Sequence, residues 1–199
     1  MEKNARNRWI QAGYKLFAVE GADGIKVERL ARILKLNKSG FYHYFSSQDN
    51  FFNELFLHHQ SAICRMALET QHCKSLDPDY FKLVLKYKLS ALVQGQLAKH
   101  TKNPSYGSVL KETSRIAEHA LLPLWRKAFN LPDDPELVRN HFALFRNAFH
   151  ARAQFEKLTY QLLHEVMAET NHMMLKIFRH GRWNNGIAIK GLSANAKMI

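Results

Sequence analysis

Two cysteines, nine glycines and five prolines are few for a chain of 199 residues, and each shortage closes a possibility. Cys64 and Cys73 stand nine positions apart with no metal-ligand spacing around them, which argues against a disulfide-stapled scaffold and a cysteine-held zinc. No run of about 18 apolar residues occurs, so no membrane span is predicted. The polar, charged start MEKNARNRW does not read as a secretion signal. The expectation is a reduced, cytoplasmic protein that keeps away from membranes. No glycine-rich phosphate loop, nucleophile–base pair or paired-carboxylate motif is visible, so neither an enzyme nor a bound cofactor is expected. Acidic residues are scarce as well, 17 Asp/Glu against 29 Lys/Arg, for a net charge of +12. What is plentiful is apolar: 46% hydrophobic residues are enough for a full core in one or two domains.

The most informative stretch is Val27 to Phe45, VERLARILKLNKSGFYHYF. It reads as two short helices joined by a tight turn at Lys35 and Leu36. Leu30, Ala31, Ile33 and Leu34 are the apolar positions of the first helix, and Ala31 is small enough for another helix to cross closely. Asn37 stands where it can cap the second helix. Phe41, Tyr44 and Phe45 then give that helix a buried face at i, i+3 and i+4. Asn37, Lys38, Ser39, Gly40, Tyr42 and His43 are left facing outward, a row of donors, one cation and two small positions. Such a surface can approach a nucleic-acid groove closely, and the pattern is a helix-turn-helix. In this register Lys38 and Ser39 fall near base edges or phosphates, and Gly40 permits close approach. Tyr42 and His43 suit phosphates, which set register without carrying sequence information. Lys26, Arg29 and Gln48 are further candidates for backbone contacts.

Several residues in register resemble the TetR family of one-component transcriptional regulators. The family pattern begins with a helix ending in an apolar–Phe pair and a Gly, matched by Ala12, Leu16, Phe17 and Gly21. It continues through Leu30-Ala31, Leu36, the run Tyr42, Tyr44, Phe45, and the stretch Gln48 to Leu55, so the match spans roughly residues 5 to 57. Three positions depart from it. Lys35 replaces the usual turn Gly and should sit near positive φ; Lys26 or Val27 replaces a Ser or Thr; Gln48 replaces a Lys. The resemblance implies an all-α protein with a helix-turn-helix DNA-binding domain at 1–47, a helical effector-binding and dimerisation domain at 48–180, and a tail at 181–199. It also implies a homodimeric repressor released from a palindromic double-stranded operator by a small molecule. A nucleoid or structural factor of the same fold with no effector is the alternative.

The rest of the chain reads as helix. One helix is predicted from Gln48 to Gln71, packed through Phe51, Phe52, Leu55, Phe56, Ile63 and Met66. A second, capped by Asp77, runs from Asp79 to Ala98, and Lys99 to Ser108 is expected to be loop. A third runs from Val109 to Phe129 with a kink or restart at Pro123. Asp134-Pro135 gives an N-cap with proline at the first helical position. The last two helices, Pro135 to Lys157 and Leu158 to His180, are apolar beyond a single stripe, so both sides of each must be buried. Internal helices of a compact bundle would show the same pattern; the resemblance to the TetR family, which dimerises through its last two helices, makes Phe142, Phe145, Phe149, Val166, Met167, Met174 and Ile177 candidates for a dimer interface. Gly181 is a plausible residue to end the last helix, and Arg182-Trp183 could dock back.

Charge is uneven: residues 82–127 hold nine Lys/Arg against two Asp/Glu. Lys82, Lys86, Lys88, Lys99, Lys102 and Lys111 form either solvated helix faces or the mouth of a site for an acidic ligand or nucleic acid. Ser90, His100 and His119 could be the polar groups of an apolar ligand pocket walled by Tyr87, Tyr106 and Trp125, with Tyr80, Phe81 and Phe129 beside them. An ordinary aromatic core is the competing account. Glu169 and His172, with His164 and Glu165 nearby, have a carboxylate–His spacing, but helical metal sites need two such pairs and no metal is expected.

Overall fold

The computed structural model describes residues 2–180, apart from the side chains of 2–4, 175 and 177–180. The expectations for the 181–199 tail and for the Ile177 side chain lie outside these residues. Helices in chain order are α1 (Glu2–Glu20), α2 (Val27–Leu34), α3 (Lys38–Phe45), α4 (Gln48–Thr70), α5 (Phe81–Lys86), α6 (Lys88–Lys99), α7 (Pro104–Ala128), α8 (Pro135–Arg152) and α9 (Tyr160–His180). A short 3-10 turn at Ala22–Gly24 and a wider helical turn at Leu76–Tyr80 complete the described elements, none of which is a strand. The architecture is all-α.

Helices α1 to α4 form the head around an aromatic nucleus. Trp9, Phe17, Phe41, Phe45 and Phe51 are sealed from solvent and meet mostly edge to face, Trp9 and Phe41 with ring centroids 5.5 Å apart. Gly13 is what lets α1 and α4 approach: a Cβ there would come within 2.3 Å of the Phe51 ring. The apolar packing does not stop at the α3–α4 turn. One buried cluster runs from Trp9 to Val166, because α1 lies along α6 and α4 lies along α7. The long α4 therefore belongs to both head and body.

In the body, the helix expected over 79–98 is two helices. It breaks at Tyr87 (φ −98°, ψ 31°), and the break lets α5 face α9 while α6 crosses to α1. Asp77 is no cap; it sits inside the turn with extended backbone, and Asp79 instead accepts from the Lys74 and Ser75 N–H groups. The loop expected over Lys99–Ser108 is also corrected, because α7 begins at Pro104. Asn103 accepts from the Ser105 and Tyr106 N–H groups with proline next in line, the same start as at Asp134-Pro135, where Asp134 accepts from Glu136 and Leu137. Gly107 and Pro123 do not break α7. Gly107 follows Tyr106, whose ring packs on Phe17 and Phe56, and that contact offsets the low helix preference of glycine. Pro123 lies on the exposed side, where water can take the carbonyl it frees. Helix α8 stops at Arg152 rather than Lys157, and α9 starts at Tyr160.

Candidate nucleic-acid interface

The local sequence makes the turn. Helix α2 closes at Lys35, which takes the left-handed conformation (φ 55°, ψ 47°), and the Leu36 N–H reaches back to the Ala31 carbonyl at 2.9 Å. A left-handed lysine is strained by its Cβ, and the closing hydrogen bond together with burial of Leu30 and Ala31 on one side of α2 holds it there. Ile33, one of the apolar positions of α2, points outward at 50% exposure. Asn37 occupies the cap position of α3 but makes no side-chain capping bond, so its amide remains outward.

Phe41 and Phe45 pin α3 to the head, and the opposite side is open. Asn37, Lys38, Ser39, Tyr42 and His43 are exposed, Tyr42 at 48%, and a Cβ at Gly40 would meet nothing within 4 Å. This is an open polar surface on an aromatic backing. Lys38 is not idle there, since it pairs with Glu28 of α2 at 2.5 Å. The pair is solvent-exposed and weak, so the ammonium can exchange Glu28 for a phosphate. Lys26 stands exposed at the N-cap position of α2 and makes no side-chain capping bond.

Two candidates are already engaged. Arg29 makes a forked contact with the Glu20 carboxylate and also donates to the Gly24 carbonyl at 3.4 Å, which locks α2 to the end of α1. Gln48 donates to the Ile25 carbonyl at 3.1 Å, and Ser47 is the side chain that caps α4, accepting from the Asn50 N–H. Both residues fix the orientation of the helix-turn-helix. Arg32 and Lys35 are exposed cations beside the turn that motif matching passed over. Their outward placement follows from Leu30 and Ala31 taking the core side of α2.

The six pocket candidates do not converge. Tyr87 donates to Glu69 at 2.8 Å, Ser90 accepts from buried Tyr14 at 3.0 Å, His100 ends α6 in solvent, and Tyr106 packs in the Phe17–Phe52–Phe56 cluster. His119 lies on an open surface cleft, and Trp125 is a core residue donating to His141 at 3.0 Å. A cavity of about 90 Å³ does exist elsewhere, between α4, α6, α7 and α8. Ile63, Met66, Tyr80, Val84, Phe142, Phe145, Phe149 and Leu163 give it apolar walls, and Gln94, Ser114, Glu118, Arg146 and His150 supply its polar groups. Glu118 and Arg146 are paired with each other, so the wall carries no uncompensated charge. Burial pushes the His150 imidazole down to about 4, which keeps it neutral near pH 7.

The interface candidates on α8 and α9 are mostly covered within one subunit. Phe142 and Phe145 pack on Trp125, Phe149 stacks on Phe145, and all three line the cavity; Val166 and Met174 are buried while Met167 is half-buried. Among the described side chains, Leu144 at 45% and Met173 at 60% exposure are the large apolar residues that those helices present outward. Glu169 pairs with Arg152 and His164 with Asp77. No group of three His, Cys, Asp or Glu among the described residues could hold a metal, and no described helix is long and apolar enough to cross a membrane.

A helix-turn-helix head set on an all-helical body defines the class: a DNA-binding regulator architecture. Comparison narrows the head further: residues 10–55 match the model of the bacterial regulatory proteins of the tetR family. The resemblance read from the sequence thus holds, and the chain carries the TetR-type DNA-binding domain. A transcriptional regulator of the TerR/AcrR family from Aquifex aeolicus VF5 shares the fold, with a TM-score of 0.56 at 16% identity over 82% of this chain and 98% of that one. A protein assigned to the TetR family of transcriptional regulators from Mesorhizobium loti MAFF303099 gives 0.53 at 15% identity, over 87% and 98%. No curated protein matches.

Proposed function

We propose that this protein is a cytoplasmic, homodimeric transcriptional repressor that reads a palindromic operator with α3 and is released when a small molecule enters the helical body. The observation that carries the reading is the open polar face of α3 backed by buried Phe41 and Phe45, inside the segment that matches the tetR family. A lone head contacts one half-site. A two-fold pair reads two half-sites about 34–36 Å apart, which is why a dimer is required for tight binding. Leu144 and Met173, left outward on α8 and α9, support an association surface on those helices.

The cavity supports the effector half of the reading. Its walls are mainly apolar and electrically balanced, and it adjoins α4, the helix shared with the head. A ligand shifts the population of DNA-competent dimers only as far as it favours one head spacing over the other. The lysines between 82 and 127 lie mostly on exposed faces away from it, so no acidic ligand is required.

Selection of bound sequences from random double-stranded DNA, repeated with and without a metabolite extract, tests the proposal. A discrete palindromic site whose occupancy falls on adding the extract is the expected result. Binding with no sequence preference and no response would overturn it in favour of an effector-independent nucleoid factor.

A further inference from the structure

A line of buried polar side chains crosses from the cavity to α1, and nothing in DNA binding uses it. Gln94 of α6 stands on the cavity wall. On one side its amide meets the Thr113 hydroxyl at 3.1 Å. On the other lies His59 of α4, a fully buried ring whose Nε2 has no partner in hydrogen-bonding geometry although the Gln94 amide is near enough to act on it. The ring's other nitrogen, Nδ1, is 2.8 Å from the hydroxyl of Tyr14, and Tyr14 donates in turn to Ser90 Oγ at 3.0 Å. Tyr14 belongs to α1, the first helix of the head.

This chain of groups has two self-consistent arrangements on nearly the same heavy atoms. In one, Tyr14 donates to Ser90, so the single proton of the neutral imidazole sits on Nδ1 and points at the Tyr14 oxygen. Nε2 is then a bare lone pair that needs the N–H of Gln94, while the Gln94 oxygen accepts from Thr113. In the other, Gln94 turns its amide over. Its N–H then serves Thr113, whose own proton goes to the Val109 carbonyl at 2.7 Å, and its oxygen accepts a proton now carried on Nε2. Nδ1 becomes an acceptor for Tyr14, and Ser90 becomes the donor to Tyr14. A neutral imidazole holds one proton, so its two faces cannot change independently.

Resting on the reading that the cavity is the effector site, we propose that Gln94 is where the ligand is read, and that its amide orientation is passed through His59 to Tyr14 on α1. The ligand class follows from the same walls: a small neutral molecule, mainly aromatic or alicyclic, with one hydrogen-bonding group directed at Gln94. A charged ligand is disfavoured because Glu118 and Arg146 already satisfy each other. A purely apolar one fills the cavity but leaves the amide, and therefore α1, undisturbed.

The test uses the full chain with toluene and 4-methylphenol, probes that differ by one hydroxyl, followed by NMR of backbone amides and histidine ring nitrogens. Both probes should shift amides around Phe145 and Leu163. Only 4-methylphenol should also shift the His59 ring nitrogens and the α1 amides near Tyr14. Tyr14→Phe, which removes one oxygen and leaves the ring, should keep the cavity shifts and lose those on α1. Equal α1 shifts from both probes, or undiminished ones in Tyr14→Phe, would overturn the relay. If neither probe reaches the cavity amides, the effector-site reading fails with its ligand class, and Gln94→Leu without ligand then judges the line alone. Unmoved His59 ring nitrogens in that variant would refute it; a changed tautomer would uphold it.

Discussion

Tyr42 and His59 show how one chain uses polar residues for opposite ends. Tyr42 stands on solvent above Phe41, supported but unengaged, so its hydroxyl is available to a phosphate. Tyr42→Ala, and Lys38→Ala beside it, should weaken operator binding at least tenfold while leaving the urea midpoint of unfolding nearly unchanged, since neither side chain packs in the core. Gel-shift titrations with wild-type-like affinity for both variants would remove α3 from the interface. His59 is the reverse case, a ring kept neutral because burial pushes its pKa down to about 3 from 6.5, and His150 behaves similarly at about 4. Unfolding frees both rings to take up protons. Their contribution is therefore complete above about pH 6.5 and is lost as the pH falls below that value towards the folded-state pKa. By pH 5 each ring should cost about 2 kcal/mol. Urea unfolding at pH 7.5 and pH 5 measures the loss, and His150→Gln should reduce it by its own share.

At the level of elements, the ends of helices explain most of what was legible locally. Asp134-Pro135 was readable as a helix start, and the identical logic at Asn103-Pro104 was hidden by Tyr106-Gly107, which reads as loop until Tyr106 is seen against Phe17 and Phe56. Helix α4 hangs on Ser47. Ser47→Ala removes the bond from the Asn50 N–H and should cost about 1 kcal/mol in thermal or chemical unfolding. The turn between α2 and α3 offers the opposite sign. Lys35→Gly relieves a left-handed lysine and should raise stability by about 0.5–1 kcal/mol, whereas Lys35→Ile should lower it, because a β-branched side chain fits that backbone worst. A loss of stability in the glycine variant would mean that the lysine stem contributes packing that outweighs the strain.

Over the whole molecule, the question is which side of each terminal helix faces home. Phe145 stacks on Phe149 and packs on Trp125 inside the subunit, while Leu144, one residue earlier, faces out. Leu144→Glu combined with Met173→Glu should leave helical content intact and halve the mass measured by sedimentation equilibrium. Phe145→Ala should instead cost about 3 kcal/mol or more of stability. A double variant that sediments as the wild type would place association elsewhere. Most helices, the open polar face of α3 and the left-handed turn at Lys35 were legible along the chain, because helical periodicity, caps and positive φ are set by residues within a turn or two of one another. Helices α8 and α9 read as apolar on more than one side, and the packing buries one stripe of each within the subunit. Tyr14 meets His59 and Ser90, 45 and 76 positions away, and apolarity or polarity along a chain says that a side chain needs a partner without saying which one the packing will bring to it.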